Sequence, residues 1–66
     1  MSYEQEQAQR LRDELSQRMN KVPDRVKNGS VQAVREWVGR REEAAKLLKK
    51  RGATVTEYIS AISRLE

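Results

Sequence analysis

Apolar residues recur at intervals of three and four through most of the chain, and the breaks in that rhythm divide it into three helical segments. Ala8, Leu11, Leu15, Met19 and Val22 form one narrow stripe, with Gln, Arg, Asp and Glu on the remaining faces. Ser2 and Gln5 have the spacing of a capping box, in which two side chains satisfy free N–H groups of the first turn. Glu6 with Arg10 and Glu14 with Arg18 add pairs in the favourable i, i+4 order. Pro23 lacks a backbone donor and pushes Val22 out of helical angles, so this first helix is expected over about 3–21.

Residues 22–30 carry the turn chemistry and read as a loop. Pro23-Asp24 can start a single turn through Arg25, Val26 and Lys27, which Asn28-Gly29 would close in left-handed conformations. The triplet Asn28-Gly29-Ser30 also matches a glycosylation sequon, but no secretory signal precedes it, and a turn followed by a cap accounts for it. From Ser30, a good N-cap, the positions Val31, Val34, Trp37, Val38, Arg41, Ala44, Ala45 and Leu48 repeat at three and four, which predicts a second long helix over about 31–51. Gly39 lies inside it and suggests close approach of a neighbouring backbone or a slight bend. Lys46, Lys49, Lys50 and Arg51 complement the negative end of its dipole, with Gly52 as the C-terminal cap. Thr54 and Glu57 form another capping box, and Val55, Tyr58, Ile59, Ile62 and Leu65 make the densest apolar face of the chain, a short helix over about 55–65.

The fold class implied is all-α: one domain over 1–66, an antiparallel hairpin of two long helices with a short third helix folded back across it. Sixty-six residues with 24 apolar side chains, six of them alanine, make a thin core. Domains of this size draw only a few kcal/mol from one core, and the usual reinforcements are missing. The absence of Cys excludes disulfides and thiolate–zinc sites, and the absence of His removes the commonest metal ligand and general base. Tight helix packing or a partner must make up the difference. No cofactor is expected.

Charge is high and unevenly placed. Lys and Arg total 14 against 10 acidic groups, giving +4. By segment, residues 1–19 and 53–66 each sum to −1 and residues 20–52 to +6. That balance favours solubility and weak attraction to anions without specifying a ligand. The longest apolar runs are pairs such as Ala44-Ala45 and Leu47-Leu48, far short of the roughly 18 residues of a spanning helix, so no membrane insertion and a cytoplasmic location are expected. Catalysis is not expected: every Ser and Thr fits a cap, a turn or a polar helix face, and Asp13-Glu14 and Glu42-Glu43 point about 100° apart, so neither pair converges.

The leading functional reading is a small non-catalytic interaction module of bacterial or phage type, an adaptor, accessory or regulatory subunit that binds another protein or a copy of itself. Candidate partner-binding residues are Trp37, the one large aromatic, Arg41, a charge on an apolar stripe, and Leu47, on the flank of the second helix. Trp37 is equally a candidate core anchor. A membrane-surface role for 31–51 is a further option, diluted by Glu36, Glu42 and Glu43.

The competing reading starts from residues 43–59. Ala44-Ala45-Lys46-Leu47-Leu48, then Lys49-Lys50-Arg51-Gly52, then Ala53-Thr54-Val55-Thr56-Glu57-Tyr58-Ile59 resembles the helix-turn-helix of bacterial regulators, with Ala45 beneath Val55. The resemblance implies a DNA-binding regulator in which Thr54, Thr56, Glu57 and Ser60 face a groove and Lys46, Lys49, Lys50 and Arg51 lie near phosphates. Two features depart from that motif: Lys49 stands where it turns on glycine, and the last helix has no Arg, Lys, Asn or Gln before Arg64. The same segment is also similar to the helix pair of ribbon-helix-helix proteins, although no alternating strand pattern precedes it.

Overall fold

A computed structural model describes residues 3–66, and among them every regular element is a helix: α1 (Tyr3–Met19), α2 (Asp24–Lys27), α3 (Val31–Lys49) and α4 (Val55–Leu65). The expected Ser2–Gln5 capping box rests on Ser2, which lies outside the described residues. The two long helices run antiparallel, with the short last helix packed against both.

Each boundary has a local cause. α1 stops two residues short of the expected Lys21: the amides of Asn20 and Lys21 tighten onto the Gln17 and Arg18 carbonyls, and the Asn20 side chain donates to the Ser16 carbonyl at 3.1 Å. The expected single turn after Pro23 forms as α2, with the Pro23 carbonyl accepting from the Val26 and Lys27 amides. It closes differently from expectation. Asn28 sits at φ −93°, and Gly29 has no positive φ. Gly29 is needed for space instead: a Cβ there would stand 2.9 Å from the Arg25 carbonyl oxygen and 3.1 Å from the Ala33 Cβ. α3 begins at Ser30, whose hydroxyl accepts from the Ala33 amide at 3.2 Å, and ends at Lys49 rather than Arg51. Lys50 is already extended, and Gly52, at φ 71°, makes the left-handed step of the turn that follows. Both halves of the Thr54–Glu57 capping box are formed at the start of α4.

Leu15, Met19, Val26, Trp37, Ala44, Tyr58, Ile62 and Leu65 make up the core, and no described polar or charged residue is buried with them. Three of these come from α4, which fills the angle between the long helices. It runs alongside α1 in the same direction: Tyr3 and Ala8 border a shallow hollow with Gly52–Thr56 at one end, and Arg18 meets Glu66 at 3.2 Å at the other. It runs opposite to α3, with Lys50 pairing Glu57 and Glu43 pairing Arg64.

The C-terminal ends of α1 and α4 therefore come together against the middle of α3. There the Arg41 Nε donates to the Met19 carbonyl at 2.7 Å, Arg40 to the Arg64 carbonyl at 3.1 Å, and the Trp37 indole N–H to the Leu65 carbonyl at 3.2 Å. Final carbonyls of two parallel helices thus find donors on a third, two of them cationic, as the negative helix ends favour.

Close approach of a neighbouring backbone does not explain Gly39, since a Cβ there would meet nothing within 4 Å. Gly39→Ala is accordingly expected to raise stability by about 1 kcal/mol, a gain of roughly 4–8 °C in Tm for a domain of this size. Gly29→Ala should lower it, because a backbone carbonyl must move. Thermal unfolding followed by circular dichroism separates the two signs.

Candidate interaction surface

Trp37 and Arg41 contact the ends of α1 and α4, so the first turns of α3 project past the point where those helices stop. Only the single turn of α2 lies against this overhang, with Val26 and Gly29 on the side of Ala33 and Trp37. The adjoining side is bare. Val31, Val34 and Val38 are 70, 40 and 42 % exposed. At about 100° per residue they fall within roughly 60° of arc, a continuous aliphatic strip on one face.

The strip continues along α3 as Arg41, Ala45 and Leu48, giving the 3–4–3–4–3 spacing of a coiled-coil seam. In this second half the residues are half-buried, and Ala45 and Leu48 pack against the core. One seam thus has a covered half and an open half. The sequence stripe puts the valines in line with Trp37 and Ala44 and does not tell the two sets apart, because periodicity does not place the ends of the neighbouring helices.

Of the residues singled out for partner binding, Trp37 and Leu47 lie off the open strip. Trp37 is 7 % exposed, in the chain's own core. Leu47 is half-buried in the groove between α3 and α4, beside Thr56, Glu57 and Ala61. Arg41 does sit on the seam, with its guanidinium turned to the Met19 carbonyl, so it closes the lower end of the open strip with a satisfied charge.

The residues of the DNA-binding alternative divide into two groups. Lys50 holds Glu57 at 2.8 Å, and this hydrogen bond, followed by the one from the Thr54 backbone, keeps the Glu57 carboxyl below the ordinary glutamate value. The Thr54 hydroxyl accepts from the Glu57 amide. These three groups build the α4 cap and its tie to α3. Lys46, Lys49 and Arg51 make no ion pair or side-chain hydrogen bond among the described residues, and Thr56 and Ser60 are exposed on α4. The two sets do not share a face: Leu47 marks the side of α3 that meets α4, and Lys46 and Lys49 stand about 100° and 160° away from it. Ala45 packs on the core while Val55 lines the hollow beside α1.

Among the described residues, no cluster of His, Cys, Asp or Glu could hold a metal ion, and no helix is long and apolar enough to cross a membrane. Comparison with known proteins adds no relative: no family model matches the chain, and no curated protein or solved structure is found to match it.

Proposed function

We propose that this chain is a small protein-interaction module that works through the open valine strip of α3. The observation that carries the reading is the exposure of Val31, Val34 and Val38 on one helical face, next to a seam whose remaining half the chain covers itself. A thin core with bare aliphatic positions at helical spacing is the arrangement by which amphipathic helices take up a second helix. The regulator reading ranks second: three cations without an ion pair among the described residues, Lys46, Lys49 and Arg51, support it, and their separation from Thr56 and Ser60 weakens it.

In-cell cross-linking of the tagged chain in its native host tests the first reading, comparing wild type with Val34→Glu/Val38→Glu. Adducts, including those between copies of the chain, are expected to be lost in the double variant. An identical adduct pattern from both forms would show that the strip is not the docking face.

A further inference from the structure

The corner between α2 and α3 joins an asparagine to a glycine, the pairing in which a side-chain amide reacts most readily with the next backbone nitrogen. Asn20 is followed by Lys21 and donates to the Ser16 carbonyl at 3.1 Å. Asn28 is exposed, its side chain makes no hydrogen bond among the described residues, and Gly29 follows it. A glycine has no Cβ to hinder the approach of its nitrogen to the asparagine side chain. The fold itself requires that glycine, because a Cβ at 29 would stand 2.9 Å from the Arg25 carbonyl oxygen. The corner thus builds in the reactive pair, and it also restrains it. The Gly29 amide donates to the Val26 carbonyl at 3.1 Å, and Asn28 sits at ψ 3°, where its Cβ and the Gly29 nitrogen are not eclipsed as ring closure needs. What holds this state is slight: α2 is a single turn with one buried side chain, Val26, resting on α3.

We infer that Asn28-Gly29 is a self-modification site, with water as its only co-reactant and the α2 turn as its brake. When α2 opens, the Gly29 nitrogen attacks the Asn28 Cγ. The N–Cγ bond forms, the Cγ–Nδ2 bond breaks, and ammonia leaves with the proton of the Gly29 amide. Water then opens the cyclic imide at either carbonyl. Opening at Cγ leaves aspartate; opening at the backbone carbonyl leaves isoaspartate, in which the chain runs through the former side chain and gains a methylene. Either product lowers the net charge from +4 to +3. The isoaspartate cannot re-form a corner that is already too tight for a Cβ at 29, so α2 detaches and Val26 leaves the side of Trp37. Loss of ammonia makes the change one-way, and it bares the flank of the α3 overhang that α2 covers.

The purified chain, held at mildly alkaline pH natively and in urea and followed by cation-exchange chromatography, tests this. Isoaspartate is counted by methyl transfer from S-adenosylmethionine with an isoaspartyl methyltransferase, and its position is read by peptide mapping. The less basic form is expected to accumulate at Asn28 and not at Asn20, about tenfold or more faster in urea than in the native chain. Asn28→Gln, whose longer side chain cannot close the five-membered ring, should stop it. Val26→Ala, which frees α2 while the other helices persist by circular dichroism, should raise the native rate severalfold. In the isolated isoaspartate form, the Val26 and Lys27 amides should lose protection in hydrogen exchange while those of α4 keep theirs. A chain that holds its charge in urea, or loses it at Asn20, overturns the site. Equal rates in the native chain and in urea overturn the restraint by α2, and an isoaspartate form with Val26 and Lys27 as protected as before overturns the detachment.

Discussion

Trp37→Ala should leave a chain that is largely unfolded at 25 °C, whereas Trp37→Phe should stay folded with a modest loss. Truncating a buried tryptophan costs about 3–5 kcal/mol through lost burial and the cavity left behind. A chain of this length has roughly 3–10 kcal/mol of stability in total. Trp37 also holds together parts that little else connects. Its ring lies where the overhang of α3, the turn of α2 and the end of α4 meet, and its N–H satisfies the Leu65 carbonyl. Phenylalanine retains most of the apolar contact and loses the donor, for which about 1 kcal/mol is expected beyond the smaller ring. Urea unfolding monitored by far-ultraviolet circular dichroism separates the outcomes. A Trp37→Ala chain with the wild-type midpoint would mean that the overhang and α2 are not coupled to the rest.

Trp37 also illustrates what the sequence discloses. Its place on a three–four stripe identified a helix and an inward face, and the same periodicity, with Ser30 and the Thr54–Glu57 pair, located α3 and α4 to within a residue or two. Caps and spacing are local properties, carried by residues within one turn of each other. The relative offset of two helices is not local. Val31, Val34 and Val38 follow the same rule as Ala44 and Leu48, yet only the latter meet a neighbour, because α1 and α4 end level with Trp37 and Arg41. Arg41 shows the limit from the other direction: a charge on an apolar stripe points to a binding partner, whereas its guanidinium is taken up within the chain by the last carbonyl of α1, which periodicity does not place. The close approach expected at Gly39 falls instead at Gly29, for a similar reason. The crowding falls at the corner where α2 turns into α3, and Gly39 faces open solvent.

Leu15→Ala is the second large loss expected, about 2–5 kcal/mol, and its value lies in how the chain comes apart. Leu15 has no exposed surface, and it is the one residue of α1 wholly enclosed by the other helices. Below it Ala8 and Leu11 are only half-buried, and beyond it Met19 is held jointly by packing and by the Arg41 hydrogen bond to its carbonyl. Since α1 packs mainly along α4, loosening it uncovers Tyr58, Ile62 and Leu65, the residues that also face α3. The pair α3–α4 would then keep one capping box, the Lys50–Glu57 and Glu43–Arg64 contacts, the hydrogen bonds from Trp37 and Arg40 to the end of α4, and very little enclosed apolar surface. Exposed ion pairs of that kind contribute about 1 kcal/mol or less each, too little to hold two helices. Unfolding should therefore stay cooperative, with amide protection in α1 and α4 lost together in native-state hydrogen exchange. Exchange of the α1 amides in Leu15→Ala while those of α3 and α4 remain protected would show that the last two helices form a unit without the first.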